Sequence, residues 1–371
     1  FSNNSQIIFY AILFFSAPFI ASFYNLPELT IITRIISLNL VIGSFSAVAR
    51  TKLTIDVDFK TQAKVSLSAV TVSGIIGIFM ALNNYGIWAL ITQSILNTIL
   101  QTLIIFYLIR WKPIFVFSFD SFRSLFPFGS RLLISQLIST IYTNIYSLVI
   151  GKKFSPDDLG FYSRAETFSV FPASNISAIM SRVTFPILSS ISNDDTRLKV
   201  IYKKYLQLTS FLVFPLMFLI IGIAYPLIEF LLTDKWLDTV MLLQILCLGF
   251  LWDPIGFLNL NLLYVKGDSK LILRLEIIKK TIAIIILIIS IPFGLIPIAI
   301  GRAFYSFIAV YINTHYTKKY IQLDYLTQMK LIFPYYLLAL TMGILVYLST
   351  LFVSGIIFKL VIGIIFGVGY Y

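Results

Sequence analysis

Apolar residues in this chain of 371 come in runs of about twenty, parted by short segments that hold most of the charges. Windows of about 19 residues predict twelve spanning helices, each near the roughly 20 residues that a bilayer core of about 30 Å requires. Their expected limits are 4–24, 29–49, 64–83, 86–109, 126–150, 162–190, 204–225, 239–264, 271–292, 295–316, 330–350 and 353–371. Most connections are short, such as Asn83 to Gly86 and Pro292 to Pro297, and no soluble domain is inserted. The segment 110–125 differs, with Phe115, Phe117, Phe119 and Phe122 around Asp120 and Arg123. It reads either as a linker with aromatic anchors or as a stretch lying along the membrane surface.

One run breaks the apolar rule. Residues 154–193 are long enough to cross a bilayer, yet they carry Arg164, Glu166 and Arg182, with Pro172 and Pro186 in the apolar part of the run. An arginine at a helix centre costs roughly 2.5–3.5 kcal/mol on insertion scales, so ionisable groups at that depth usually face a bundle interior or a water-filled cavity. Arg164 and Arg182 are separated by five helical turns, which places both on one face roughly 27 Å apart, with Phe171 and Asn175 close to the same line. A cation, aromatic, amide, cation stripe suits a helix that lines a polar path.

Composition fixes the class. The chain is 58% hydrophobic and 12% charged, with a mean hydropathy of +0.93, and that leaves too few charges to cover the surface of a soluble protein of this length. Cys247 is the sole cysteine and His315 the sole histidine. An intrachain disulfide is excluded, and so in effect are histidine metal sites and Cys-His or Ser-His-Asp nucleophile systems. No metal or cofactor is expected.

The net charge of +12 would suggest nucleic acid in a soluble chain. Here the cations follow topology instead. Alternate loops, beginning after the second span, hold nineteen of the 28 lysines and arginines, Lys266, Lys270, Arg274, Lys279 and Lys280 among them. The other loops hold only Lys152, Lys153 and Lys235. By the positive-inside rule the basic loops are cytoplasmic, and both ends of the sequence fall on that side. Because the chain opens at Phe1 directly on an apolar run without a signal peptide, it reads as a fragment.

The run GKKFSPDDLGFYSRAETFSVFPASNISAIMSRVTFPILSSISND at 151–194 resembles the signature region of Wzx-type polysaccharide flippases, which share a superfamily with MATE exporters and the lipid II flippase MurJ. FSAPFIASFYNLPEL at 15–29 and LLTDKW at 231–236 extend the resemblance over essentially the whole chain. It implies an all-α polytopic membrane protein with a MATE/MurJ-like two-lobe bundle, about twelve of fourteen transmembrane helices being present. Residues 1–112 would be an N-terminal lobe lacking its first two spans, 113–329 a complete six-span lobe, and 330–371 two additional spans. It further implies translocation of undecaprenyl-pyrophosphate-linked oligosaccharide across the bacterial inner membrane, with lipid as surroundings, polysaccharide polymerase or export machinery as partners, and no covalent chemistry.

Within that frame each deep charge has two readings. Arg182, Arg131, Arg34, Arg164 and Arg302 are cavity cations for a phosphate oxygen or arginines snorkelling to headgroups, with Arg164 also within reach of Asp157 or Asp158. Ser135, Tyr142 and Tyr146 share the face of Arg131, and Asn175 completes the stripe. Asp253, between Trp252 and Pro254, is a coupling site for a proton or sodium ion or the N-cap of a broken helix. Gln93, Asn97 and Gln101 form an amide stripe for sugar hydroxyls or for helix–helix hydrogen bonds. A MATE-like cation exporter would need cavity carboxylates where this chain has arginines. A membrane polymerase or acyltransferase lacks its large external loop and its paired carboxylates here.

Overall fold

The computed structural model describes residues 2–56, 58–109, 137 and 140–371. Among these, all regular elements are helices, and eight helical segments are long and apolar enough to cross a membrane. Large apolar side chains such as Phe19, 77% exposed, and Phe352, 87% exposed, point outward, as they must when the surrounding solvent is hydrocarbon. The chain is a multi-pass membrane protein. The expected span at 126–150, Arg131, Ser135 and the aromatic segment 110–125 lie wholly or largely outside the described residues. The rest forms two compact units, 1–139 and 140–371.

The first unit contains α1 (Ser2–Tyr24), α2 (Leu29–Ile36), α3 (Leu38–Ile55), α4 (Phe59–Leu82) and α5 (Ile87–Ile109). Asn25 closes α1 in the left-handed region at φ 58°, a position that asparagine tolerates, and Pro27 follows where the helix cannot continue. Asp58 caps α4 by accepting from the Thr61 amide and hydroxyl. These two bonds hold its carboxyl below the usual aspartate range. Small residues and hydroxyls join α3 to α5, where Thr102 donates to Ser46 at 3.3 Å and Asn39 to Ser94 at 2.9 Å.

The second unit contains α6 (Ile145–Lys153), α7 (Pro156–Ser190), α8 (Asp195–Gly222), α9 (Ala224–Leu232), α10 (Thr239–Phe250), α11 (Asp253–Val265), α12 (Ser269–Ser290), α13 (Leu295–Ile321), α14 (Tyr325–Leu351) and α15 (Ile356–Tyr370). The signature motif becomes physical at the start of α7. Ser155 and Asp158 form a reciprocal capping box around Pro156 at the first helical position, satisfying donors that would otherwise be orphaned. One turn later Gly160 and Phe161 pack on Trp236, and Arg164 lies 5.9 Å from the same ring. The SPDDLG and LLTDKW motifs therefore meet in space.

Helices α8 and α14 approach closely at glycines. A Cβ at Gly222 would come within 2.8 Å of Val346, and one at Gly343 within 3.1 Å of Phe218. The same two helices also share a buried polar clasp. Asn259 of α11 and Gln328 of α14 exchange amide hydrogen bonds at 3.3 and 3.4 Å, Tyr202 of α8 donates to Gln328 at 3.4 Å, and Thr317 of α13 donates to Asn259 at 2.8 Å. All four side chains are fully buried. Four helices are thus tied by groups that hydrocarbon could not solvate, each such bond stabilising by about 0.6 kcal/mol on average and up to about 1.7.

Candidate functional site

Residues Leu251 and Trp252 separate α10 from α11, the broken helix expected at Asp253 and Pro254. The capping role expected of Asp253 does not hold. Trp252 occupies the N-cap and Asp253 is the first helical residue, so its carboxylate is turned away from the helix end and toward α13. A close helix crossing explains what it meets there. A Cβ at Gly249 would lie only 2.6 Å from the Ala303 Cα, so α10 and α13 touch backbone to backbone. That contact places Arg302, the neighbour of Ala303, against the end of α10.

There the guanidinium is surrounded by rings, 4.6 Å from the Phe250 centroid, 5.3 Å from Tyr305 and 5.9 Å from Tyr146. Its Nη1 donates to the Ser306 hydroxyl at 3.2 Å, and that hydroxyl donates to Asp253 Oδ1 at 3.0 Å. The direct ion pair is looser, with Nη2 3.8 Å from Oδ2. Arg302 and Asp253, read separately from the sequence, form one unit.

A cavity of about 490 Å³ opens onto this pair, within the second unit alone. Tyr142, Ser174, Ser177, Tyr305 and Asn313 add hydroxyls and an amide to its wall, and Phe257 adds an aromatic face. Asn313 donates to the Gly256 carbonyl at 3.0 Å, and its own carbonyl oxygen, buried, has no partner among the described residues. Lys279 also lines the cavity, buried and paired with Glu276 one turn away. This corrects the loop assignment of Lys270, Arg274, Lys279 and Lys280, all of which lie inside α12. The sequence carried a signal in Glu276 three residues before Lys279, but a charge count alone could not separate it from a loop edge. A cavity with two cations, one carboxylate, several hydroxyls and an open carbonyl is suited to hold an anionic, hydroxyl-rich group.

The α7 stripe is built as the helical arithmetic requires. Arg164, Phe171, Asn175 and Arg182 share an exposed face, while Tyr162, Ala165, Ser169, Ala173, Ile176, Met180, Thr184 and Leu188 are buried on the other. The Asn175 amide is spent locally, donating to the Phe171 carbonyl at 2.8 Å. In the first unit, Gln101 donates to Asn97 at 3.1 Å and Gln93 packs under Gly77.

Arg34 has a structural partner. Pro18 inside α1 offers no N–H to the Phe14 carbonyl one turn earlier. Arg34 Nε donates to that carbonyl at 3.3 Å, and the guanidinium stacks 4.4 Å over the Phe14 ring. Arg34→Met is expected to destabilise the protein by about 1–3 kcal/mol by leaving the carbonyl unpaired. In a Pro18→Ala background, where the helix supplies its own donor, the loss should shrink. Equal losses in both backgrounds, measured by unfolding in detergent, would show that Arg34 does not repair the proline.

These features define a multi-pass, all-helical membrane protein with a charged cavity. Its fold is similar to that of a solved structure, the lipid II flippase MurJ in its inward closed conformation, with a TM-score of 0.76 at 20% identity over 98% of this chain and 80% of that one. The chain belongs to the polysaccharide biosynthesis protein family, whose sequence profile matches residues 1–241. It is 26% identical over 273 residues to the teichuronic acid biosynthesis protein TuaB of Bacillus subtilis, covering 71% of this chain and 55% of that protein. The succinoglycan biosynthesis transport protein ExoT of Rhizobium meliloti is 26% identical over 249 residues, 67% of this chain and 48% of that one. The lipopolysaccharide biosynthesis protein WzxC of Escherichia coli is 24% identical over 308 residues, 81% and 61% respectively. The chain spans about half to three fifths of these relatives' lengths.

Proposed function

We propose that this protein flips undecaprenyl-pyrophosphate-linked oligosaccharide from the cytoplasmic to the outer leaflet of a bacterial inner membrane, for surface polysaccharide or lipopolysaccharide synthesis. The observation that carries the reading is the cavity against Arg302, on a fold shared with a lipid II flippase. A pyrophosphate and its sugars cannot enter hydrocarbon unaided, and a cation in a cavity whose largely apolar wall also carries hydroxyls lowers that cost. The names of the three relatives, all in polysaccharide biosynthesis, support the substrate class.

The exposed α7 stripe is proposed as a wall of the substrate path, with Arg164 toward the outside and Arg182 toward the cytoplasm, where both ends of the sequence would lie. Asp253 is proposed as the carrier of a coupling proton or sodium ion, and a polymerase or export complex as the recipient of the product. The 1–112, 113–329 and 330–371 division and the count of fourteen spans belong to the same proposal. Arg182→Ala in the complete gene should cut surface polysaccharide at least tenfold at unchanged protein level, with lipid-linked oligosaccharide accumulating inside. Wild-type polysaccharide from that variant would remove Arg182 from the path.

A further inference from the structure

The arginine facing the cavity is already partnered, but weakly. A guanidinium can hold a carboxylate through two parallel hydrogen bonds at about 2.7–2.9 Å. Arg302 does not do this with Asp253. Its nearest contact to the carboxylate is 3.8 Å, and Ser306 lies between them, accepting from one and donating to the other. A guanidinium carries five donors, and among the described residues Arg302 gives one to Ser306. The aromatic rings around it fix its position without using an N–H in conventional hydrogen bonding. Asp253, meanwhile, is 39% exposed on the cavity side of the pair against 17% for Arg302. The carboxylate therefore stands where an incoming anion would have to stand.

We propose that Asp253 is a resident, exchangeable anion: it occupies Arg302 in the empty cavity and is displaced by an anionic oxygen of the substrate. The oxygen belongs either to the lipid diphosphate or to a sugar carboxylate, which offer the guanidinium the same chemistry. Ser306 is the hinge of the exchange, because its hydroxyl can stay with Arg302 when the carboxylate leaves. An anion that binds while Asp253 is charged meets a like charge within a few ångströms. The pair thus sets a ceiling on affinity, and the same ceiling favours release at the far leaflet. This goes beyond the flippase reading and rests on it for the nature of the substrate.

The test is anion binding to the full-length protein in nanodiscs, by calorimetry at fixed ionic strength, with inorganic pyrophosphate and glucuronate as probes. Asp253→Asn should bind at least one probe about tenfold more tightly than wild type. Tighter pyrophosphate points to the lipid diphosphate as the source, and tighter glucuronate to an acidic sugar. Ser306→Ala should give a smaller gain, about threefold. Asp253→Asn with Arg302→Gln should lose the gain. Equal or weaker binding by Asp253→Asn, no binding of either probe, or a gain that survives loss of Arg302 would overturn the exchange. If Asp253→Asn does not purify as a folded protein, Ser306→Ala decides. Each of these failures leaves the polysaccharide phenotype of Arg182→Ala untouched, so the two proposals fail separately.

Discussion

Arg302→Gln is expected to lower the unfolding free energy of the full-length protein by about 1–3 kcal/mol and to abolish surface polysaccharide, and adding Asp253→Asn should repair only the first defect. Removing one partner of a buried ion pair costs about 3–5 kcal/mol, because the other is left as an uncompensated charge. The loss here should be smaller, about 1–3 kcal/mol, because the closest approach is 3.8 Å and Asp253 is partly open to the cavity. Neutralising Asp253 removes that charge, and Asn can still accept from Ser306. Transport does not return, since no cation faces the substrate. Detergent unfolding and a polysaccharide assay on the same three variants make the comparison. Restored polysaccharide in the double variant would mean that the pair is structural only.

Gly249→Val should remove most of the protein from the membrane. The first carbon of any side chain there meets the Ala303 backbone at 2.6 Å, and backbone cannot swing aside as a side-chain tip can. Overpacking typically costs about 1–3 kcal/mol, occasionally more, and separating α10 from α13 would also unseat Arg302 from Phe250 and Asp253. Gly256→Ala is the matched control, since its new carbon would find Val310 at 3.4 Å and Asn313 at 3.7 Å, which is ordinary contact. Fluorescence-detected size exclusion of tagged protein distinguishes the two. Monodisperse Gly249→Val at the level of Gly256→Ala would show that the crossing is not what positions the site.

Local periodicity made the helices legible. The run of about twenty apolar residues is a direct image of bilayer thickness, and Asp-Pro at 253–254 marked the break between α10 and α11. The face of α7 was equally readable, because Arg164 and Arg182 lie on one continuous helix. Pairings between helices were not. Nothing in the sequence says that Asp253 meets Arg302, 49 positions away, because the contact depends on the backbone approach at Gly249 and Ala303. Arg34 shows the same limit from the other side. Its depth suggested a cavity cation, whereas the lost hydrogen bond at Pro18, on another helix, gives it a structural use. A charge within an apolar run announces that it has a partner, but not which one.

The clasp of Tyr202, Asn259, Thr317 and Gln328 bears on how the chain is made. Its last member lies 126 residues after its first, so α8, α11 and α13 must leave the ribosome and enter the bilayer with their polar groups still lacking Gln328. Only the arrival of α14 completes the set. The clasp can therefore close only after α14 has been made, late in the synthesis of the chain.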